Sequence, residues 1–171
     1  MKEKDFQAEI ARSIPWLCET LRTYIAYTKI PDAPKGPEQR FSARKGYDCF
    51  LVHCGRHLAI ELKLSKGMSW SFDALDDYQE AKLLEVERAG GRAWVVVSFR
   101  VAFAAKEAKK RGLDQAILAF GLPVEHLIAV RAEAVRKSLP LDWFEANAVA
   151  LPRIPTTRGA GWDLRPVLGV V

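Results

Sequence analysis

The apolar run at residues 93–99 constrains the fold of this chain more than any other feature. It reads Ala-Trp-Val-Val-Val-Ser-Phe, which is typical of a strand covered on both faces, because a half-exposed strand alternates apolar with polar residues. Residues 72–89 before it have helical spacing and end at Gly90-Gly91, a common helix stop. A buried strand that follows a helix predicts an α/β architecture with a mixed sheet.

Hydrophobic periodicity predicts the other elements. Residues 5–26 have helical spacing, and we expect a kink or a break at Pro15. Residues 47–52 and 58–64 are strand-like and flank a short turn with a glycine, which predicts a hairpin. Further helices are expected at residues 102–111, 113–120 and 131–138, and a further strand at residues 124–130.

Composition excludes several classes of protein. Hydrophobic residues make up 49% of the chain, which is enough for a core, yet no run approaches the roughly 18 apolar residues of a membrane helix. The first residues are charged and no apolar segment follows them, so we expect no signal peptide. Three cysteines do not suit a disulfide scaffold, which favours a reducing compartment: the cytoplasm of a cell, or of a host cell infected by a virus.

The net charge of +5 is modest, but it is unevenly distributed. Residues 29–66 carry eight basic and four acidic side chains, and the chain from Arg100 onward carries eleven and seven. Residues 67–99 between them carry three basic and six acidic side chains. The pattern fits a basic surface for nucleic acid or an acidic partner, and it also fits ordinary solvated helix faces.

Three side chains that could take part in catalysis converge on the predicted hairpin. Glu61 and Lys63 are two residues apart on a strand, so they leave the same face, and the hairpin can bring Asp48 beside Glu61. Carboxylate oxygens are ligands that Mg²⁺ prefers, and the backbone carbonyl of Leu62 is available as a further ligand. Lys63 can orient an attacking water or stabilise a phosphoryl transition state. The alternative is a structural salt bridge on an exposed face.

A zinc site on the same hairpin is not predicted. Cys49, His53, Cys54 and His57 lie within nine residues, and strand alternation splits them between the two faces. Structural zinc sites instead use two separated pairs of ligands. We therefore expect these residues to pack or to lie on the surface.

The spacing of these residues resembles that of a known superfamily. Asp48, thirteen positions before Glu61-Leu62-Lys63, resembles the core of the PD-(D/E)XK nucleases. Gln79 on the next helix, followed by Gly90-Gly91 and the apolar strand, is similar to Holliday junction resolvases of the RecU-like bacterial family, and the architecture is similar to the archaeal Hjc-like family. The resemblance covers roughly residues 5–100.

The resemblance also reaches the first helix, and it has departures. Glu9 fits the place of a glutamate that these resolvases carry on that helix. Tyr47 stands where the superfamily name expects proline, Tyr78 stands where a histidine often precedes the glutamine, and Gly46 stands where RecU-like proteins carry threonine. No specificity element can be carried over to the chain after residue 99.

The resemblance implies a restriction-endonuclease-like α/β fold, in which helices flank a mixed central β-sheet. It implies an endonuclease that resolves four-way DNA junctions by Mg²⁺-dependent phosphodiester hydrolysis in recombination and repair, with Mn²⁺ as a substitute metal. A symmetric homodimer is expected, because a two-fold symmetric junction needs two matched cuts. No membrane and no nucleotide cofactor are expected as partners.

Site residues follow from the resemblance. The implied catalytic set is Glu9, Asp48, Glu61, Lys63 and Gln79. Asp48, Glu61 and the carbonyl of Leu62 would hold the metal, with Glu9 as an additional ligand. The residues expected to bind DNA are Arg40, Ser42, Arg44, Lys45, Arg56 and Lys66.

The organisation of the chain completes these expectations. Residues 28–46 hold three prolines and two glycines, which predicts a flexible loop that faces DNA within a nuclease core at residues 1–130. Residues 131–171 are expected to form a C-terminal extension that ends in an extended tail, with DNA contact, packing and a dimer arm all open as its role. Three other functions also stay open: a flap or restriction-like nuclease of the same fold, an RNA-processing nuclease, and a DNA-binding recombination protein without catalysis.

Overall fold

The computed structural model describes residues 3–31, 44–100 and 117–170. Within these residues, no helix is both long enough and apolar enough to cross a membrane. The elements in chain order are α1 (Glu3–Leu21), β1 (Ala26–Lys29), β2 (Cys49–His53), β3 (Arg56–Ser65), β4 (Ser69–Ser71), a 3-10 helix (Phe72–Ala74), α2 (Asp77–Arg88), β5 (Arg92–Arg100), β6 (Ile117–Pro123), α3 (Val124–Glu133), β7 (Ser138–Pro140), α4 (Leu141–Asn147), β8 (Val149–Ala150), β9 (Arg153–Thr156), β10 (Gly159–Trp162) and α5 (Arg165–Leu168).

The main sheet is mixed, as the sequence predicts. Six of the described strands form it in the order β1-β2-β3-β5-β6-β8. β3 and β5 run parallel, whereas the other neighbouring pairs run antiparallel. Among the described strands, two smaller ribbons pair β4 with β7 and β9 with β10.

Helices cover both faces of this sheet, and the central strand β5 shows why its sequence is continuously apolar. Trp94 and Val96 pack into the core that α1 covers, whereas Val95 and Val97 pack into the core that α2 covers. All four side chains are buried. The predicted α/β class, with a mixed central sheet flanked by helices, is therefore confirmed.

The first helix differs from its prediction in two ways. α1 runs through Pro15 as one helix, because the apolar side chains on either side of the proline, Ile10 and Leu17, are fully buried and hold it against the sheet. It ends at Leu21, five residues earlier than predicted, because Arg22 adopts a φ of 49° and turns the chain. The residues that follow form β1, which extends the sheet beside β2.

Predictions for residues 113–138 are mostly wrong where the structure describes them, although residues 131–133 are helical as predicted. Residues 117–120 are strand rather than helix, residues 124–130 are helix rather than strand, and residues 131–138 contain the end of α3 and the start of β7 rather than a separate helix. A short apolar run does not distinguish strand from helix by itself. The pairing of β6 with β5 decides the first case, and the packing of α3 against the sheet decides the second. The helix predicted at 102–111 lies outside the described residues.

The extended tail predicted at the C-terminus is instead a packed hairpin. β9 and β10 pair with each other and lie against α1, and Trp162 is 1% exposed. The backbone N–H of Trp162 donates to Ser13 Oγ at 2.7 Å, and its ring meets Phe6 edge-on at 6.1 Å. β8 also joins the main sheet beside β6. The described contacts thus pack this segment against α1, while DNA contact and a dimer arm stay open as further roles and the domain division at residue 130 stays a prediction.

Candidate active site

The β2–β3 hairpin places Asp48, the residue just before β2, beside Glu61 in the middle of β3. Cys54 and Gly55 both have positive φ, at 49° and 74°, which is the backbone of a tight two-residue turn and confirms the predicted hairpin. Cys49 pairs with Ile60, and the N–H of Asp48 donates to the carbonyl of Ile60 at 3.1 Å. This register sets Asp48 opposite Glu61.

Glu61 lies at the centre of a three-residue cluster on the α2 side of the sheet. Its carboxylate is 1% exposed. Oε1 accepts a hydrogen bond from Gln79 Nε2 at 2.6 Å and pairs with Lys63 Nζ at 2.8 Å. Lys63 Nζ also donates to Gln79 Oε1 at 2.9 Å, so each member of the cluster contacts the other two. The structure thus brings together three of the five residues that the resemblance implies.

Gln79 is held in this position by the start of α2. Asp76 caps the helix by accepting the N–H of Gln79 at 2.9 Å, and Gln79 Oε1 accepts the N–H of Asp76. This capping box begins the helix at Asp77, five residues later than the sequence predicts, after a separate 3-10 turn. The cap fixes the first turn of α2, and with it the side chain that holds Glu61 and Lys63.

Asp48 is also buried, at 1% exposed, and both of its oxygens accept hydrogen bonds. Oδ2 accepts the backbone N–H of Leu62 at 2.8 Å. Oδ1 accepts from Lys45 Nζ at 2.6 Å and from Gln7 Nε2 at 2.9 Å. Because the N–H and C=O of one strand residue point to the same side, the carbonyl of Leu62 also points toward Asp48. The backbone ligand expected from the sequence therefore faces the site.

Asp48 and Glu61 are buried carboxylates at opposite positions of the β2–β3 hairpin, so they repel each other. The repulsion is visible in the pKa of Glu61. Burial and the charge of Asp48 raise the pKa of Glu61 to about 7, although Lys63 partly opposes the shift. Among the described residues, no group donates a hydrogen bond to Glu61 Oε2. A divalent cation between the carboxylates would satisfy this oxygen and remove the repulsion. The donor set thus fits Mg²⁺, which binds through one or two carboxylates and keeps several waters.

We expect the metal-free protein to lose stability as the pH rises from about 4.5 to about 7. Glu61 has a pKa of about 7 in the folded protein against 4.5 as its ordinary value, so in this window the folded state binds a proton that the unfolded state has released. Its contribution is complete below the lower pKa and is lost by the upper one, a change of about 3 kcal/mol. Urea unfolding in chelator across this range measures it.

The matched variant for this measurement is Glu61→Gln, which cannot titrate. The difference in unfolding free energy between wild type and variant isolates Glu61 from the other titrating groups. As the pH rises, the wild type should become less stable relative to Glu61→Gln. A pH-independent difference would contradict the raised pKa.

Glu9 does not join this cluster in the structure. Its Oε2 accepts from Arg100 Nη2 at 2.5 Å and from Trp162 Nε1 at 2.9 Å, and its Oε1 accepts from Arg100 Nη1 at 3.2 Å. Arg153 Nη2 lies 4.0 Å from Oε1. The residue of α1 that reaches Asp48 is Gln7, which the sequence analysis missed. Gln7 and Glu9 are two positions apart, which corresponds to about 200° around the axis of an α-helix. Their side chains therefore leave α1 in nearly opposite directions.

The residues expected to bind DNA are dispersed. Lys45 lies against Asp48, and Arg44 pairs with Asp76 at 2.7 Å while its guanidinium lies 5.0 Å from the ring centroid of Tyr78. Arg56 is exposed at the hairpin turn, about 17 Å along the strand from Glu61. Lys66 is exposed just after β3. The other two, Arg40 and Ser42, lie outside the described residues.

The described residues bring no third histidine, cysteine, aspartate or glutamate to the pair of carboxylates, since no group of three or more that could hold a metal is found among them. Asp48, Glu61 and the carbonyl of Leu62 are therefore the residues that could hold a cation. Glu9 as an additional ligand has no support in this geometry.

Comparisons with known proteins show similarity at the level of structure rather than of sequence. No protein-family model matches the chain, and no curated protein sequence matches it. The chain is similar to the 1.6 Å structure of Hjc, a Holliday junction resolvase from the archaeal hyperthermophile Archaeoglobus fulgidus. The two chains are 17% identical, the match covers 86% of this chain and 94% of that chain, and the TM-score is 0.45.

Proposed function

We propose that this chain is a metal-dependent endonuclease that cleaves DNA at four-way junctions. One observation carries the proposal: a buried pair of carboxylates, Asp48 and Glu61, shares one end of the sheet with a lysine, Lys63, that contacts Glu61 directly. A purely structural ion pair needs no second buried carboxylate, because that carboxylate adds repulsion and desolvation cost. In a metal-dependent phosphodiester hydrolase all three groups have a use, because the carboxylates can hold the cation and the lysine can stabilise the charge that develops on the phosphate.

The chain's own residues take distinct roles in this reaction. Asp48, Glu61 and the Leu62 carbonyl would hold Mg²⁺, or Mn²⁺ in its place, which when bound supplies positive charge for the phosphate and lowers the pKa of water. Lys63, fixed by Glu61 and Gln79, orients the attacking water and donates to the phosphate oxygens as negative charge develops on them.

The choice of substrate rests on charge and on the resemblance of residues 5–100 to junction resolvases. Arg44 and Lys45 lie four and three positions before Asp48, on the segment that leads into the site, where they can contact the phosphates that flank the cut. The part of the chain that the structure describes provides one such site, so two matched cuts across a symmetric junction call for a homodimer. We place this activity in DNA recombination and repair.

The experiment compares substrates of equal length and shared sequence: a synthetic four-way junction, a flap, a linear duplex and the corresponding RNA. With Mg²⁺ or Mn²⁺ we expect paired nicks in the junction that chelator abolishes, and much slower cleavage of the linear duplex. Equal cleavage of linear duplex or flap would indicate the flap or restriction-like alternative, and preferred cleavage of RNA would indicate an RNA-processing nuclease. Retention of DNA without any metal-dependent cleavage would indicate a binding protein.

A further inference from the structure

Gln7 on α1 has contacts that a filler of the core would not need. It is 6% exposed, and its Nε2 donates to Asp48 Oδ1 at 2.9 Å. Because an ionised carboxylate only accepts hydrogen bonds, this contact requires the amide nitrogen to face Asp48 and determines where the amide oxygen lies. Gln7 Oε1 is therefore positioned by the same bond that positions Asp48.

This amide oxygen has no hydrogen-bond partner among the described residues. A buried polar atom left in this state costs about 1–3 kcal/mol, so native proteins rarely keep one without a reason. Oε1 lies within about 5 Å of Asp48 Oδ1, since it shares one carbon atom with Nε2. Glu61 Oε2, across from Asp48, is unsatisfied in the same way. Gln7 Oε1 and Glu61 Oε2 are both on residues next to the Asp48 carboxylate. One cation bound to Asp48 could accept electron pairs from both oxygens.

We propose that Gln7 is the α1 residue of the cation site. Its Nε2 orients Asp48, and its Oε1 faces the cation or a water bound to that cation. The inference rests on the proposed cation site of Asp48 and Glu61. It replaces Glu9, whose two oxygens are both engaged by Arg100 and Trp162.

Metal titration of the full chain tests this assignment without any substrate. Calorimetric titration with Mg²⁺ and with Mn²⁺ is carried out on wild type and on Gln7→Leu, Gln7→Glu and Glu9→Gln, and circular dichroism confirms folding of each. Gln7→Leu keeps the volume but loses both polar atoms, so we expect ten- to hundredfold weaker binding, as for other groups that orient metal ligands. Gln7→Glu adds negative charge next to Asp48, and we expect tighter binding than in wild type.

Opposite shifts in the two Gln7 variants separate a cation-facing residue from a merely structural one, which would shift affinity in the same direction in both or in neither. Glu9→Gln should leave metal affinity unchanged even where it lowers thermal stability. The assignment is overturned if Glu9→Gln weakens binding and Gln7→Leu does not, or if wild type binds neither ion. Metal binding with the expected shifts, but without cleavage of any substrate, would instead overturn only the proposed function.

Discussion

Asp48→Asn is expected to reduce Mg²⁺-dependent cleavage by at least about a thousandfold. The substitution keeps the shape and leaves an oxygen to accept the N–H of Leu62, but it removes the charge that would hold the cation. It also places an amide where Lys45 and Gln7 both donate to Oδ1. Single-turnover cleavage of a labelled junction with saturating protein measures the loss independently of DNA affinity.

Three comparisons make this result specific to the site. Asp73→Asn changes an exposed carboxylate in the 3-10 turn before α2 and should cleave at the wild-type rate. Lys63→Met keeps the length of the side chain without its ammonium and should be nearly as slow as Asp48→Asn. The affinity for uncut junction, measured by gel shift in chelator, should change little in Asp48→Asn and in Lys63→Met. Normal cleavage by Asp48→Asn would show that the site lies elsewhere.

Trp162→Ala is expected to lower the free energy of unfolding by about 3–5 kcal/mol, the usual cost of removing a large buried aromatic side chain. The ring is 1% exposed, packs edge-on against Phe6 and donates through Nε1 to Glu9 at 2.9 Å. Its loss would open a cavity beside the buried Glu9–Arg100 ion pair. The midpoint and slope of urea unfolding measure the change.

Two tryptophan variants calibrate this prediction. Trp143→Ala removes a partly exposed ring on α4 and should cost clearly less. Trp162→Phe retains most of the packing but removes the donor to Glu9, so we expect an intermediate loss of about 1–3 kcal/mol. If Trp162→Ala were as mild as Trp143→Ala, the C-terminal hairpin would be an appendage rather than part of the core.

The sequence predicts the central elements well because their signals are local. The continuous apolar run of β5 needs cover on both faces wherever it lies, and Cys54-Gly55 prescribes a tight turn through its backbone alone. Once that turn is known, the distance along the two strands sets Asp48 opposite Glu61. The side chains of Glu61 and Lys63 then share a face because strand alternation has a period of two.

Predictions fail where an element depends on its partner. Residues 117–120 of β6 (Ile-Leu-Ala-Phe) and residues 127–130 of α3 (Leu-Ile-Ala-Val) are similar short apolar runs, and only the neighbouring strand and core decide between helix and strand. The C-terminal residues lack periodicity, yet they form a hairpin because α1 offers them the apolar Phe6 and the hydroxyl of Ser13. Neither partner can be read from the segment itself.

The sequence by itself determined the hairpin, the buried strand and the pairing of two carboxylates with a lysine, since all three follow from turn chemistry and a two-residue period. Only the tertiary structure decided which side chain of the first helix reaches them. Gln7 and Glu9 are both polar residues on the same helix, and the rotation of α1 against the sheet turns the first toward Asp48 and the second toward Arg100 and Trp162. That rotation is set by the packing of the whole apolar face of α1, which no local motif encodes.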